Sequence, residues 1–421
     1  MKYIVYLVFP FLIFSWTTPI NISQNPLNDI NPQVCRLWNP FSYTCVVWQR
    51  EEGNLYNIFA RFSMQIGEWG QEIRVTDDSI YSNENPVVAY DEIRNKVWVA
   101  WQKNLGNNWE IFVTSGEPNN GFSPPYQLTN SANRDDKNPT IFCIRDTVWV
   151  IWESWGDSSF ILSKFYNGDE WSESIIIAQC GASEAFLSQP KITIRYSHPI
   201  VIWYKWSRCF SHIYYSEYIN GNWTQPAAVC TSGHNYTIEI NNNSLFYLSG
   251  VIIVWYNNET QDIFKTAYDT FNLHYNITND TDIVDIYPSV LIVDIPVFNL
   301  MPYIIVWQRE NKIYSHFWYA SQFIPVDTTF TCEKPTLTAM GSTCVWCVYQ
   351  KNINGNYEIF GSYVYYSDIK EDINKKPSIL RKKIILSKKY FDLKKYKIYN
   401  PLGKEVKNCS YLPLGVYFIL K

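Results

Sequence analysis

Acid pairs, five histidines and ten cysteines are the residues of this 421-residue chain best suited to carry chemistry. Glu51-Glu52, Asp135-Asp136, Asp280 and Asp282 offer the paired carboxyls that glycoside hydrolysis needs on either side of a bond. All of them fall on polar turns, where acids are mostly just hydrated. His198, His212, His234, His274 and His316 show neither metal-ligand spacing nor a nucleophile partner. The acidic turn "TNDTDIVD" lacks the pattern of a calcium loop, so calcium is the one cofactor considered and no other is expected. Cys344 and Cys347 form the single C-x-x-C, with no second pair to complete a zinc site. Cys35 and Cys45, and likewise Cys332 and Cys344, flank short loops and are candidates for hairpin disulfides. No catalytic residue and no metal ligand is assigned on this basis.

Those residues are carried by a repeat. An apolar run closed by an aromatic ends at Trp48, Trp101, Trp152, Trp203, Trp255, Trp307 and Tyr349, at intervals of 53, 51, 51, 52, 52 and 42. Each is followed by an Ile and then a large apolar residue, from Ile58-Phe59 to Ile359-Phe360. Six of the seven copies carry a preceding proline, at positions 32, 86, 139, 190, 288 and 335. Residues 86–129 show the grammar of one copy. "PVVAY" and "KVWVAW" read as strands, "QKNLGNN" as a turn, "WEIFVTS" as a third strand and "PYQLT" as a weaker outer one. Four antiparallel strands in 40–50 residues make a propeller blade, whereas tandem sandwiches would repeat at about 100 residues.

The expectation is therefore an all-β chain, a seven-bladed β-propeller of four-stranded antiparallel blades over residues 17–367. In each blade the second strand ends in the tryptophan, which is expected to pack against the next blade. The seventh copy lacks a fourth strand, and residues 17–23 ("TTPINIS") are expected to supply it, hiding the open sheet edges.

In such a ring the turns between second and third strands share one face with the blade connections. "Gln-Arg/Lys" recurs on those turns at Gln49-Arg50, Gln102-Lys103, Gln308-Arg309 and Gln350-Lys351, which marks a structural feature. Blades three and four depart from it with Trp155 and Trp206. These two, with Tyr256 and Arg309 on neighbouring turns, are the candidate ligand-binding residues, because exposed aromatic faces stack on sugar rings and apolar side chains. Cys180, Cys209 and Cys230 would lie on the same face and could staple its loops.

Turns of the "NGDEW" type resemble those of secreted sialidase-like and Asp-box proteins, although the S-x-D-x-G-x-T-W box is absent. That resemblance implies a carbohydrate-active hydrolase or lyase as the rival to a binding protein for glycan, peptide or envelope protein. A sialidase would need an arginine cluster and a Tyr–Glu pair, and no arginines are placed for it.

The chain ends carry targeting features. "MKYIVYLVFPFLIFSW" reads as a signal peptide over residues 1–16, too short to anchor in a bilayer, and no permanent membrane span is expected. After a linker at 368–377, residues 378–421 hold "YKIYNPLGKEV" and "LPLGVYFILK". These resemble the C-terminal sorting domain of the type IX secretion system at Gly403, Lys404, Val406, Gly415, Tyr417 and Lys421, with Asn400 where Asp is usual. The resemblance implies a small partial β-sandwich, the secretion machinery as a partner and a secreted or cell-surface location. Residues 368–421 carry 14 Lys and Arg against 5 Asp and Glu, leaving 21 against 34 for the remainder. An acidic body of that kind argues against nucleic acid as partner.

Overall fold

The computed structural model describes residues 15–37, 44–118, 120–181, 185–207, 209–241, 250–267, 271, 273–280, 282–293, 303–318, 320, 322–340, 344–365, 397–399 and 418–420. Two compact units result. One, Trp16–Val364, is the propeller. In the other, Lys397–Tyr399 pairs antiparallel with Phe418–Leu420, Ile398 facing Ile419. Residues 1–14 of the expected leader and all six residues of the expected sorting motif lie outside the described residues.

Seven antiparallel sheets make the propeller. Blade three shows the plan: Asp135–Ile144, Thr147–Trp155, Ser158–Tyr166 and Ile175–Gly181, each paired with the next. The innermost strands of the seven blades are Asp29–Arg36, Asn83–Asp91, Asp135–Ile144, Phe186–Arg195, Asn235–Ile240, Asp285–Ile292 and Thr331–Met340. All seven line one central cavity. Blade seven holds Thr331–Met340, Cys344–Ile353 and Asn356–Tyr365, and its outer strand is Ile20–Asn21 from the other end of the chain. Ile20 faces Gly361 and Asn21 faces Phe360. Thr17 N donates to Tyr363 O at 3.0 Å and Ile22 N to Ile359 O at 2.6 Å. Gly361 is small for a reason: a Cβ there would stand 2.9 Å from the Trp346 ring and 3.0 Å from Ile22 Cδ1.

The repeated tryptophans are buried, as sheet-on-sheet packing of large rings requires. Their direction differs from expectation. Trp48 packs with Val348 and Ile359 of blade seven, Trp101 with Val47 and Ile58 of blade one, and Trp203 with Ile151 and Ile161 of blade three. Each tryptophan thus faces the preceding blade, not the following one. Strand side chains alternate between faces, so the residue after the tryptophan is the one that reaches forward.

The prolines also sit differently. They are not at strand starts but inside the innermost strands, where each blade's register slips, as between Ile30 and Gln33 or Glu84 and Val87. The slip is a β-bulge, which frees Pro from the ladder. The residue just before the proline position (Asn31, Asn85, Asn138, Gln189, Thr237, Tyr287, Lys334) has φ between 45° and 54° in every blade.

The register corrects one disulfide expectation. Cys332 lies opposite Lys351 and Cys344 opposite Met340, at opposite ends of their hairpin. Cys35 and Cys45 do face each other directly. No disulfide joins any two of the nine described cysteines.

Candidate functional site

The recurrent Gln-Arg/Lys dipeptide resolves into two structural roles, one per residue. In three of its four copies the glutamine staples blade to blade: the bulge N–H of Asn31 donates to Gln350 Oε1 at 3.0 Å, that of Asn85 to Gln49 Oε1 at 2.8 Å, and that of Asn138 to Gln102 Oε1 at 2.9 Å, while Gln308 Nε2 donates to Glu310 O at 2.8 Å. In blade three Glu153 takes the glutamine's place and accepts from Gln189 N at 2.7 Å. The cation neutralises a buried aspartate at the start of an innermost strand or at the end of an outer one. Arg50 clasps Asp29 at 2.7 and 3.0 Å, Arg309 clasps Asp285 at 2.8 Å through two nitrogens, and Lys351 meets Asp327 at 2.8 Å.

At the bulges, side-chain amides form a directed relay around part of the cavity. Lys334 Nζ donates to Asn31 Oδ1. Asn31 Nδ2 donates to Asn85 Oδ1 at 3.2 Å, Asn85 Nδ2 to Asn138 Oδ1 at 3.1 Å, and Asn138 Nδ2 to Glu153 Oε1 at 2.8 Å. An ammonium heads the relay and a carboxylate ends it, so the two charges fix the way each amide points. Burial, which outweighs the three hydrogen bonds it accepts, pushes the Glu153 carboxyl above its ordinary range. Burial likewise holds the Lys334 ammonium below its ordinary value. The cavity itself encloses about 240 Å³. On its wall Lys191 Nζ of blade four pairs with Glu239 Oε1 of blade five at 2.5 Å.

Trp155 and Trp206 are joined by a residue that pattern reading passed over. Phe186 begins the innermost strand of blade four and pairs directly with Trp206. Its ring lies 5.9 Å from Trp155 and 6.0 Å from Trp206. Trp155 Nε1 is tethered to Leu187 O at 3.1 Å, which fixes one end of the row. Trp206 and Phe186 are 39% and 36% exposed, an open aromatic shelf. Phe186 stands three residues before Gln189 on one strand, so the shelf begins about 10 Å from the cavity. Phe186 carried a faint signal in being a large apolar residue on a blade connection.

The other two candidates stand elsewhere. Tyr256 is buried in the cluster between blades five and six, with its hydroxyl 3.1 Å from Asn258 Oδ1. Arg309 is held by Asp285, with Phe323 under its guanidinium at 4.9 Å.

One histidine does have a nucleophile partner. His274 stands beside Cys230, and chiefly that proximity raises its pKa to about 8, while its Nε2 lies 2.9 Å from Val229 O and from Phe271 O. Burial pushes Cys230 up, but His274 and Ser232 outweigh it and the thiol lies below its ordinary value. Forty-four residues separate the two, a spacing with no sequence signature. Cys230 is buried, so the pair does not open on the shelf. Among the described residues, no three His, Cys, Asp or Glu side chains converge to hold a metal ion.

No family model and no curated protein matches the chain. Solved structures do. A protein of unknown function from Dyadobacter fermentans matches at TM-score 0.54 and 8% identity, covering 83% of this chain and 98% of that one. A Trypanosoma rangeli sialidase in complex with sialic acid matches at TM-score 0.48 and 8% identity, over 90% of this chain and 60% of that one. An intramolecular trans-sialidase from Ruminococcus gnavus matches at TM-score 0.43 and 11% identity, over 86% and 97%. The first of these likenesses bears on the fold alone.

Proposed function

We propose that the protein is an exported propeller that binds an uncharged glycan at the mouth of its channel. The observation that carries this reading is the Trp155–Phe186–Trp206 shelf beside a cavity lined by amides, prolines, hydroxyls and three charged side chains, of which Lys191 and Glu239 pair with each other and Lys334 donates to Asn31. Exposed aromatic faces have little to gain in water and much to gain under the apolar face of a sugar ring. The mouth cations Arg50, Arg309 and Lys351 are neutralised by their own aspartates, which leaves them poorly placed to hold an anionic ligand. A leader ending before Trp16 and the tail at 378–421 would carry the propeller to the outside of the cell, with the secretion machinery as the tail's partner.

The test is an array of uncharged oligosaccharides, run beside a peptide array, with the full chain and its Phe186→Ala/Trp206→Ala variant. Loss of two stacked rings should weaken glycan binding by about 10-fold or more, at roughly 0.5–1.5 kcal/mol per ring contact beyond area burial. Unchanged affinity in the double variant, or binding to peptides alone, would remove the reading.

A sialidase-like hydrolase or lyase is the second reading, and one residue favours it. Glu153 is a fully buried carboxyl at the mouth, with its pKa raised by burial and no ion pair among the described residues, and a raised pKa is one requirement of a general acid. Turnover of any glycoside that Glu153→Gln abolishes would establish it.

A further inference from the structure

The seven bulges are alike in backbone and unlike in how their side chains are used. In blades seven, one, two and three the bulge side chains belong to the relay from Lys334 through Asn31, Asn85 and Asn138 to Glu153. In blades four, five and six they are Gln189, Thr237 and Tyr287. Among the described residues the side chains of Gln189 and Tyr287 form no hydrogen bond, and Thr237 Oγ1 is buried without a partner. All three line the cavity.

Among the described residues, the glutamine staple is absent at the bulges of blades five and six as well. At its position blades four and five carry Tyr204 and Tyr256, which pack forward by their rings against blades five and six. Thr237 and Tyr287 are thus passed over by both networks, whereas Gln189 keeps its backbone bond to Glu153.

Backbone chemistry sharpens the contrast. Left-handed φ is cheap for asparagine, the residue used in blades one to three, and costly for a β-branched or bulky residue. At 237 and 287 the chain places threonine and tyrosine at φ 45° and 51°, where asparagine or glycine would be easier to hold. Strain of this kind persists where the side chain is needed for something other than the fold. The prolines do not explain it, because blade five has none at this point and blade six has Pro288.

We propose that Gln189, Thr237 and Tyr287, with the Lys191–Glu239 pair, form a subsite that takes one terminal sugar unit of the glycan lying on the shelf. This rests on the glycan-binding reading above and deepens it. Sugar hydroxyls donate and accept, so one ring can satisfy an amide, a phenol and both members of an ion pair at once, and the Thr237 hydroxyl, which is closed to solvent, by a turn about its Cα–Cβ bond. A cavity of about 240 Å³ falls under the range of about 300–1,000 Å³ typical of drug-sized ligands. It holds a single ring and not a chain passing through, so the ligand enters end-on. The next units then run back about 10 Å along Phe186–Gln189 onto Phe186 and Trp206.

The experiment uses the full chain, a printed array of uncharged oligosaccharides with free or capped termini, and thermal melting. The wild type should bind free-ended glycans and lose binding when the terminal hydroxyls are capped. Thr237→Asn and Tyr287→Asn should each raise the melting temperature, because asparagine relieves the bulge. Each should also weaken glycan binding, by about 2- to 12-fold for one lost hydrogen bond. A purely structural role for these side chains gives the first effect without the second. Full affinity in the double variant, or equal binding of capped and free termini, overturns the subsite and leaves the shelf standing so long as Phe186→Ala/Trp206→Ala still abolishes binding. Absence of glycan binding by the wild type overturns both.

Discussion

Trp48 and Gln49 are neighbours on one strand and serve opposite neighbours in the ring. The tryptophan packs on blade seven, and the glutamine reaches forward to Asn85 of blade two. The charged residue that follows closes the local account by neutralising a buried acid. Asp327 shows how firmly. Burial is the largest influence and pushes its pKa up, yet Lys351, Thr329 and Tyr349 together hold it below its ordinary value of 3.8. A carboxyl depressed in the folded state stabilises the protein above its unfolded pKa and loses that contribution as pH falls through the folded value. Asp327→Asn should therefore cost about 3–5 kcal/mol at pH 7, since Lys351 is left buried and unpaired. The gap from wild type in urea melts should close as the buffer is taken below about pH 4. A gap that stays constant down to pH 2 would mean that the pair contributes nothing as an ion pair.

The strand that carries the bulge is the element on which the mouth is built. In blades one to four its bulge N–H is turned out of the sheet ladder, and a side chain from the preceding blade receives it. Gln102→Met keeps the bulk of the side chain and removes the acceptor, stranding Asn138 N–H. A loss of about 1–3 kcal/mol in melting experiments is expected, the usual cost of an unpaired buried donor. A neutral result would mean that water takes over the bond.

The element scale is also where sequence reading did best and then ran out. Seven copies of a four-strand pattern were legible because the strand period and the turn residues repeat together, and the described residues form seven such sheets, three of them with the outer strand split in two. The direction of the tryptophans was misjudged, because a strand sandwiched between two sheets is apolar on both faces and its pattern names neither. The bulge escaped for a similar reason: "Asn-Pro" reads equally as a strand start. Phe186 and the Cys230–His274 pair depend on contacts between blades, which no local spacing encodes.

At the scale of the whole molecule the two chain ends share one sheet. Trp16, at the last position of the expected leader, is 6% exposed in the propeller, its Nε1 2.9 Å from Ser315 Oγ and its ring 6.3 Å from Phe317. Trp16→Ala should lower stability by about 3–5 kcal/mol, in the range for truncating a buried tryptophan. Amino-terminal sequencing of the exported protein should find a start at or before Trp16; a mature chain that begins at Thr18 would show that this contact is absent from the functional form. Deleting residues 403–421 is expected to leave the propeller folded and the protein retained in the cell envelope, measured by fractionation and melting. Normal release of that truncation would rule out a sorting role for the tail.

The seam has a mechanical side. Thr17 bonds near Tyr363 and Ile22 near Ile359, so both ends of the propeller chain leave the same end of the last blade. Tension between a surface tether beyond residue 365 and a load at the amino terminus would load these bonds singly, in order, like a zipper. A fastening of that kind peels open at low force, while the six blades behind it resist.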